Sequence, residues 1–460
     1  MGRFFHRGGA FAAFSPRLCA SAVILLLAAT AAASDLRLID AVKRRDHKAL
    51  ALLIGRHADV NAAQPDGATA LAWATYLDET DAAESLLAAG AKVATADEYG
   101  ETPLTLACSN GNARLVEKFL AAGANANAAR WDGATALMIA ANSGNAEAVR
   151  QLLAHGADVN AAESRKGQTA LMWAAAEAHP EITRLLIEHG ANIKAISKSG
   201  FNALVFAATK NDDQSVRALL AAGADPNYTL SNGTRVLLVA AAYRSSKAAV
   251  ALADGGADPN VADRAGNTPL HTAAQLGSLD LVNKLIAKRA DVNARTAKTQ
   301  GGRGLGGGGG AFFFQPGEQT PLLMAARANQ VEIMKALVAA GADPTLKAQD
   351  GTTLLMAAAG SGHLEPVEYA YQLDKRVDAV TTFGTTVMHA AVTGTGAVPQ
   401  PEICKVVQFL ADKGAPLDAK DSRGRTPISI ADILPLDKVV DLLTNLIVKS
   451  GGTPAIPSKR

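Results

Sequence analysis

Residue types that carry catalysis occur in this chain, but their spacing forms no catalytic or metal-binding set. None of the nine histidines stands in an HExxH pattern or in a Cys/His spacing typical of zinc sites. No G-x-S-x-G, P-loop or kinase signature occurs. The adjacent acids Asp212 and Asp213 lie in a polar turn, where solvated capping is their ordinary role. We therefore expect no enzyme activity, no metal and no cofactor.

One glycine-rich stretch formally matches a nucleotide-binding motif. The segment Gly302–Gly307 satisfies G-x-G-x-x-G, but no strand is predicted before it and no helix directly after it, as that motif requires. A run this rich in glycine matches by composition and is interpreted as a flexible linker. Phe312, Phe313 and Phe314 follow it, and each ring would gain about 1.5–3 kcal/mol on burial. As an alternative, these rings fold onto the rest of the chain or bind a partner.

The elements that carry these residues repeat along the chain. A threonine following a turn glycine recurs at a spacing of 33 or 34 residues, apart from two longer spacings of 52 and 40. The positions are Thr69, Thr102, Thr135, Thr169, Thr268, Thr320, Thr353, Thr386 and Thr426, with Asn202 and Arg235 as stand-ins. A fixed period near 33 indicates stacked supersecondary units rather than one globular core.

Each unit reads as two short helices and an extended finger. Thr102 supplies an N-cap oxygen, and Pro103 suits the first helical position because its missing N–H would be unpaired there. Gly111 ends this first helix. The second helix has apolar residues on one stripe, namely Leu115, Val116, Phe119 and Leu120. Gly123 suits the left-handed position at the helix end, and the following residues turn back as the finger.

The residues Thr102-Pro103-Leu104, Ala107, Gly111, Leu120 and Gly123-Ala124-Asn125 resemble the ankyrin repeat. The resemblance covers roughly residues 35–450 and recurs about a dozen times. It implies an all-α solenoid of about 12 helix-turn-helix repeats with β-hairpin-like fingers, in which neighbouring repeats stabilise one another. It also implies a non-enzymatic protein that binds partners through its fingers and the exposed side of its first helices.

Several positions depart from the repeat. His57, Arg289 and Asp374 replace the helix-ending glycine, so each is expected to cost up to about 1 kcal/mol of backbone strain or to end its helix differently. The spacing of 52 residues places a glycine-rich insertion at 295–316, in a finger. The spacing of 40 residues places a shorter insertion at 394–401, between two helices.

Four potentially reactive side chains have ordinary explanations in the repeat. His271 and His389 occupy the fourth position of the Thr-Pro-Leu-His pattern, where a histidine makes local hydrogen bonds. Cys108 and Cys404 lie eight units apart. With helices stacked about 10 Å apart, this separation is tens of ångströms, whereas a disulfide needs Cα atoms within about 7 Å. Both cysteines are therefore expected to pack as small apolar residues.

The N-terminus is typical of a secretory signal. Arg3, Arg7 and Arg17 precede the uncharged stretch Leu18–Ser34, which ends in small residues. We expect a cleaved leader at 1–34, an uncleaved anchor being the alternative, then the solenoid at 35–450 and a disordered tail at 451–460. Without the three leader arginines, 42 of the 45 basic residues remain against 43 acidic residues. This balance predicts neither nucleic-acid binding nor membrane insertion after cleavage.

Partner binding is assigned to exposed aromatic and basic residues. The candidates are Tyr76, Tyr99, Arg130, Trp131, Phe312, Phe313, Phe314 and Phe383, with Arg165, Lys166, Lys198 and Arg264 nearby in the fingers. Aromatic residues and arginine dominate interface hot spots. Trp73 and Trp173 are assigned to the core between repeats. We expect a monomeric scaffold or regulator in the bacterial periplasm or outside the cell; the alternatives are an accessory subunit of an envelope enzyme and a secreted effector acting on host proteins.

Overall fold

The computed structural model describes residues 36–299, 316–394 and 398–454. Within these ranges the chain forms 24 α-helices in 12 successive pairs, which confirms the predicted all-α solenoid. We number the pairs as units 1–12, and each unit after the first begins with its finger. The first helices are α1 Arg37–Lys43, α3 Ala70–Tyr76, α5 Pro103–Asn110, α7 Ala136–Ser143, α9 Ala170–Ala176, α11 Ala203–Thr209, α13 Val236–Ala242, α15 Pro269–Leu276, α17 Pro321–Arg327, α19 Leu354–Ala359, α21 Val387–Val392 and α23 Pro427–Ile433.

The second helices run alongside them. They are α2 His47–Gly55, α4 Thr80–Ala88, α6 Ala113–Ala121, α8 Ala146–Ala154, α10 Pro180–Glu188, α12 Asp213–Ala221, α14 Ser246–Asp254, α16 Leu279–Ala287, α18 Val331–Ala339, α20 Leu364–Leu373, α22 Gln400–Asp412 and α24 Asp437–Lys449. Each second helix packs on the first helix of its own unit and on the second helices beside it. The leader at 1–34 and the end of the tail at 455–460 lie outside the described residues.

The recurring threonine begins nine of the twelve first helices in the described chain, as predicted. Its hydroxyl accepts the backbone N–H three residues on, as Thr69 does from Ala72 at 3.2 Å. Asn202 does the same through its amide oxygen, at 3.0 Å from the nitrogen of Val205. Arg235 makes no such cap, and α13 therefore begins without a side-chain acceptor.

The apolar stripes of the two helices form one continuous core along the stack. Phe119 is fully buried, as are the paired alanines Ala140 and Ala141 on the first-helix side. Small alanine side chains let the first helices of neighbouring units approach closely. Because each unit buries its apolar face only against its neighbours, folding stability comes from contacts between units.

The fingers are joined to one another at two levels. At the tips, the N–H of Trp131 donates to the carbonyl of Tyr99 at 3.0 Å, and the N–H of Ser164 to the carbonyl of Asp132 at 2.9 Å. At the base, the Asn127 amide nitrogen donates to the carbonyl of Gly156 at 3.1 Å, and its oxygen accepts from the next finger. Equivalent base contacts are made by Asn61, Asn160, Asn227, Asn260 and Asn293.

The three substitutions of the helix-ending glycine have two outcomes. His57 and Arg289 adopt left-handed backbone with φ of 56° and 66°, so they accept the strain that glycine would avoid. Asp374 does not: its φ is −143° and the chain leaves α20 in an extended conformation. Its carboxylate then accepts hydrogen bonds from the Arg376 backbone and guanidinium, the latter at 2.7 Å.

The glycine-rich insertion does not interrupt the stack. Residues 300–315 lie outside the described chain, and with them the predicted Phe312, Phe313 and Phe314. On either side, the Asn293 amide still donates to the carbonyl of Gly341 at 3.2 Å, across the insertion. His271 Nε2 lies 3.0 Å from the carbonyl oxygen of Gln319. Units 8 and 9 therefore stack as the others do.

Candidate protein-binding surface

Two of the predicted aromatic residues share an exposed edge formed by neighbouring fingers. Tyr99 in the finger of unit 3 and Trp131 in the finger of unit 4 are 53% and 63% exposed. The backbone hydrogen bond from Trp131 to Tyr99 holds the two fingers together. Both rings are thus presented from a backbone that is itself anchored, which lowers the entropy lost on binding a partner.

Basic side chains continue this edge beyond Trp131. The guanidinium carbon of Arg165, in the finger of unit 5, lies 6.0 Å from the centroid of the Trp131 ring, at the outer limit of a cation–π contact. Lys166 is exposed beside it, and Lys198 is exposed in the finger of unit 6. We call the set Tyr99, Trp131, Arg165, Lys166 and Lys198 the finger patch.

The carboxylate closest in sequence to these cations is turned away from them. Glu163 is buried, and its oxygens accept the backbone N–H groups of Arg165, Lys166 and Gln168. Burial alone would raise the pKa of Glu163, but these donors outweigh it and hold the pKa below its usual range. The carboxylate therefore stabilises the turn of the finger and leaves the exposed tips of the fingers of units 5 and 6 basic.

Arg130 has a different place from the one predicted. Its Nε lies 3.3 Å from a carboxylate oxygen of Glu101 and 3.9 Å from one of Asp132. Because its guanidinium pairs with the finger of unit 3, Arg130 links two fingers rather than projecting towards a partner. The pairing depends on residues that are 29 positions apart, and the repeat pattern alone does not reveal it.

Of the other predicted aromatic residues that the structure describes, Tyr76 and Phe383 do not join the finger patch. Tyr76, at the end of α3, is exposed and makes an edge contact with Trp73 at 5.7 Å between ring centroids. Phe383 is exposed in the finger of unit 11, seven units beyond Trp131, with Val380 exposed in the same finger. The described aromatic candidates therefore lie at three separate places: the end of α3, the finger patch, and the finger of unit 11.

The two tryptophans assigned to the core pack against it with part of each ring exposed. Trp73 Nε1 donates to the Gln64 amide oxygen at 2.8 Å, and Lys43 Nζ lies 4.0 Å from its ring centroid. Trp173 Nε1 is buried and has no hydrogen-bond partner in the described chain. Unit 5 has Glu163 at the position that Gln64 occupies in unit 2. The Glu163 carboxylate accepts hydrogen bonds from the backbone of its own turn instead.

Some exposed large hydrophobic residues were not singled out from the sequence, among them Tyr243 and Ile196. Tyr243 follows α13, and Ile196 lies in the finger of unit 6. Ile196 stands where the fingers of units 3 and 4 have Ala96 and Ala129. An alignment of the repeats with one another would therefore have found it.

Buried titratable groups are structural. Across residues 36–299, 316–394 and 398–454, no cluster of three or more His, Cys, Asp or Glu side chains could hold a metal ion. Burial raises the pKa of the Cys108 thiol to about 12, so this thiol stays protonated and unreactive. In the same ranges, no helix combines the length and apolar character needed to cross a bilayer.

Repeated helix pairs joined by fingers define a solenoid protein that presents an extended surface. The family model for ankyrin repeats (3 copies) matches this chain at residues 38–130, 107–197, 204–296 and 322–421. These matches cover well over half of the chain, which therefore belongs to the ankyrin repeat family. Ankyrin repeats are protein–protein interaction modules.

The chain is also similar to human B-cell lymphoma 3 protein. The two are 31% identical over 173 residues, which is 36% of this chain and 33% of that protein. The chain thus spans about a third of the length of the curated relative it matches. The similarity supports the repeat architecture.

Proposed function

We propose that this protein is a non-enzymatic scaffold or regulator that holds a partner protein against its fingers and first helices in the bacterial cell envelope. The observation that carries the proposal is Trp131, a large apolar side chain that is 63% exposed on an anchored finger. A solvated indole of this size gains free energy when a partner covers it. Tryptophan, tyrosine and arginine are also the residues most enriched in binding hot spots.

The envelope location rests on the N-terminal sequence. Basic residues followed by the apolar stretch Leu18–Ser34 favour export, after which an interaction surface would face the periplasm or the medium. Fractionation of the native cell tests this step. Detection of the chain in the periplasm supports the scaffold, and detection in the culture medium favours a secreted effector acting on host proteins.

Affinity capture from the native envelope tests the binding surface. The full chain carries a C-terminal tag, and the double variant Tyr99→Ala/Trp131→Ala is compared with Tyr243→Ala, an exposed tyrosine outside the finger patch. We expect capture by wild type and by Tyr243→Ala, and at least about tenfold less capture by the double variant. Circular dichroism checks that all three are equally helical. Equal capture by all three would reject this surface.

An accessory subunit of an envelope enzyme is the second candidate. It is favoured by the glycine-rich insertion between Thr299 and Pro316, whose flanking residues belong to the finger of unit 9 and whose length would let it reach a neighbouring protein. Here the captured partner would be catalytic, and adding this chain would raise its activity. A captured partner without catalytic activity would favour the scaffold.

A further inference from the structure

The sign of charge changes along the finger edge. The fingers of units 2 and 3, residues 61–68 and 94–101, contain acidic residues and no lysine or arginine. The fingers of units 5 and 6, residues 160–168 and 194–201, contain Arg165, Lys166, Lys194 and Lys198. These two stretches contain one acidic residue, Glu163, whose carboxylate is buried in its own turn. Trp131 lies between the acidic and the basic fingers.

Several basic side chains of the second helices have acidic partners, whereas those of the basic fingers have none in the described chain. In the described chain, the cations of the unit 5 and unit 6 fingers form no salt bridge, and the Nζ of Lys198 donates instead to the carbonyl of Ser164 at 2.6 Å. On the second helices, by contrast, Arg114 pairs with Glu84 of the preceding unit at 2.7 Å. Arg217 and Lys284, on the second helices on either side, both form salt bridges with Asp254. The positive charge at the fingers is thus left for an external anion.

We propose that the basic part of the finger patch binds an acidic, extended segment of the partner protein. Carboxylates of that segment pair with Arg165, Lys166 and Lys198, and an apolar side chain covers the exposed face of Trp131. This inference rests on the proposed function and specifies the chemistry of its partner.

The spacing of the fingers determines the pattern of the segment. Neighbouring units stack about 10 Å apart, and an extended chain advances about 3.3 Å per residue. Cations on successive fingers therefore meet every third residue of an extended segment that runs along the edge. An α-helix advances about 1.5 Å per residue and would need acids about seven residues apart.

A protein segment fits this edge better than a nucleic acid does. A phosphate backbone is negative along its whole length. It would be repelled by Asp66, Asp97 and Glu98 in the fingers of units 2 and 3. A peptide segment can be acidic opposite units 5 and 6 and neutral or basic opposite units 2 and 3. Nucleic acid is therefore the competing outcome in the test.

The test measures fluorescence anisotropy of labelled probes with the full chain. The probe is a 12-residue synthetic peptide with glutamate at every third position and one central phenylalanine. The comparison probes are the same peptide with lysine for glutamate, a peptide of the same composition with its glutamates in one block, and a single-stranded oligonucleotide. We expect the spaced acidic peptide to bind at least about tenfold more tightly than the lysine peptide, and binding to weaken as salt screens the charges.

Charge reversal locates the binding site. The variant Arg165→Glu/Lys166→Glu/Lys198→Glu should lose at least about tenfold in affinity for the acidic peptide, since each removed attraction becomes a repulsion. The matched control Lys118→Glu/Arg184→Glu/Lys247→Glu changes net charge equally, at exposed positions of the second helices α6, α10 and α14. The control should bind as wild type does.

Three results would overturn the inference. They are equal loss in both triple variants, preference for the lysine peptide, and tighter binding of the oligonucleotide than of the spaced peptide. Tighter binding of the blocked peptide would contradict the extended geometry. Affinity capture from the envelope distinguishes this inference from the proposed function. If capture still depends on Trp131 while the acidic peptide does not bind, the partner is not acidic and the scaffold function stands. If capture fails as well, the proposed function itself is wrong.

Discussion

Units 4 and 5 and units 7 and 8 follow the same repeat, but the contact between the two finger tips differs at these two junctions. At the first, the Ser164 N–H donates to the carbonyl of Asp132. At the second, the equivalent backbone bond from Arg264 to Asn232 is absent from the described structure, and the Arg264 guanidinium reaches that carbonyl at 3.3 Å instead. A Cβ added at Gly133 would approach the next finger at 3.0 Å, whereas one at Gly233 would meet open space.

The opposite edge of the units, where the two helices of a pair connect, differs in the same way. Between units 4 and 5 the His179 ring packs over Gly144, and its Nε2 lies 3.1 Å from the carbonyl oxygen of Asn142. Between units 7 and 8 there is a cavity of about 30 Å³ whose lining includes Ala241, Ser245 and Leu276. That volume is close to the space one water molecule occupies.

What the two junctions share is the contact at the base of the fingers. The Asn227 amide bridges the carbonyl of Gly256 and the N–H of Asp258, as the Asn127 amide does at its own junction. The comparison shows that the base contacts preserve the register of the stack, while the tips and helix turns determine how tightly two units are coupled. In the described structure the finger of unit 7 lacks the backbone tip bond on both of its sides, and local opening is expected to begin there.

The largest expected effect distinguishes a fully buried core position of unit 5 from a half-buried position on the outer face of unit 7. Leu186 in α10 is fully buried, so Leu186→Ala should lower the free energy of unfolding by about 2–5 kcal/mol. Val250 in α14 is half-buried and faces an open groove of about 510 Å³. Val250→Ala should therefore cost less than about 1 kcal/mol. Urea denaturation followed by circular dichroism measures both, and similar losses would contradict unequal packing.

Hydrogen exchange tests the finger tips directly. The backbone N–H groups of Ser231 and Arg264, on either side of the unit 7 tip, have no hydrogen-bond acceptor in the described structure, whereas those of Ser164 and Lys198 have one. We expect the first pair to exchange at least about tenfold faster in the native protein. Equal protection of the four amides would show that the unit 7 finger is closed in solution.

Helix capping has a smaller effect on the free energy of unfolding, and the expected changes in units 5 and 7 have opposite signs. Thr169 caps α9, and Thr169→Ala should lower the free energy of unfolding by about 1 kcal/mol. Arg235 leaves α13 without a side-chain cap, and Arg235→Thr should raise the free energy of unfolding by about the same amount. Thermal unfolding of the two variants beside wild type provides the measurement. A destabilising Arg235→Thr would mean that the arginine itself contributes to this junction.

The smallest expected effect is a pH dependence at unit 8. His271 is neutral in the fold because its Nδ1 accepts the Thr268 N–H at 3.1 Å and its Nε2 donates to the Gln319 carbonyl. Burial lowers the pKa of His271 from its usual 6.5, and more than offsets the hydrogen bonds that would raise it. The unfolded chain therefore binds more protons, so this stabilisation is complete above about pH 6.5 and is lost as pH falls through the lower folded pKa.

Denaturation midpoints at pH 7.5 and 5.5 measure this effect. In His271→Thr the dependence should shrink, because threonine fills the same capping position in unit 3, where the Thr105 hydroxyl accepts from Thr102 at 2.8 Å without titrating. His389 has the same arrangement in unit 11 and supplies the remaining dependence. An unchanged pH dependence in the variant would mean that other groups cause it.

Local rules were enough to predict most of the fold from the sequence. The threonine caps, the helix-ending glycines and the capping role of His271 each depend on residues within a few positions of one another, and their recurrence reveals the period. The position of Trp131 on an exposed finger followed from the repeat register. The pairing of Arg130 and the inward turn of Glu163 did not, because both depend on where a side chain points after the turn has formed.

The sequence by itself determined the architecture, because an ankyrin unit is specified by short-range capping, turn and helix signals repeated 12 times. The tertiary structure alone decided how strongly each unit couples to the next. It also decided which finger charges are neutralised. These contacts join side chains and backbone groups about 30 residues apart, and their geometry arises only when the units stack.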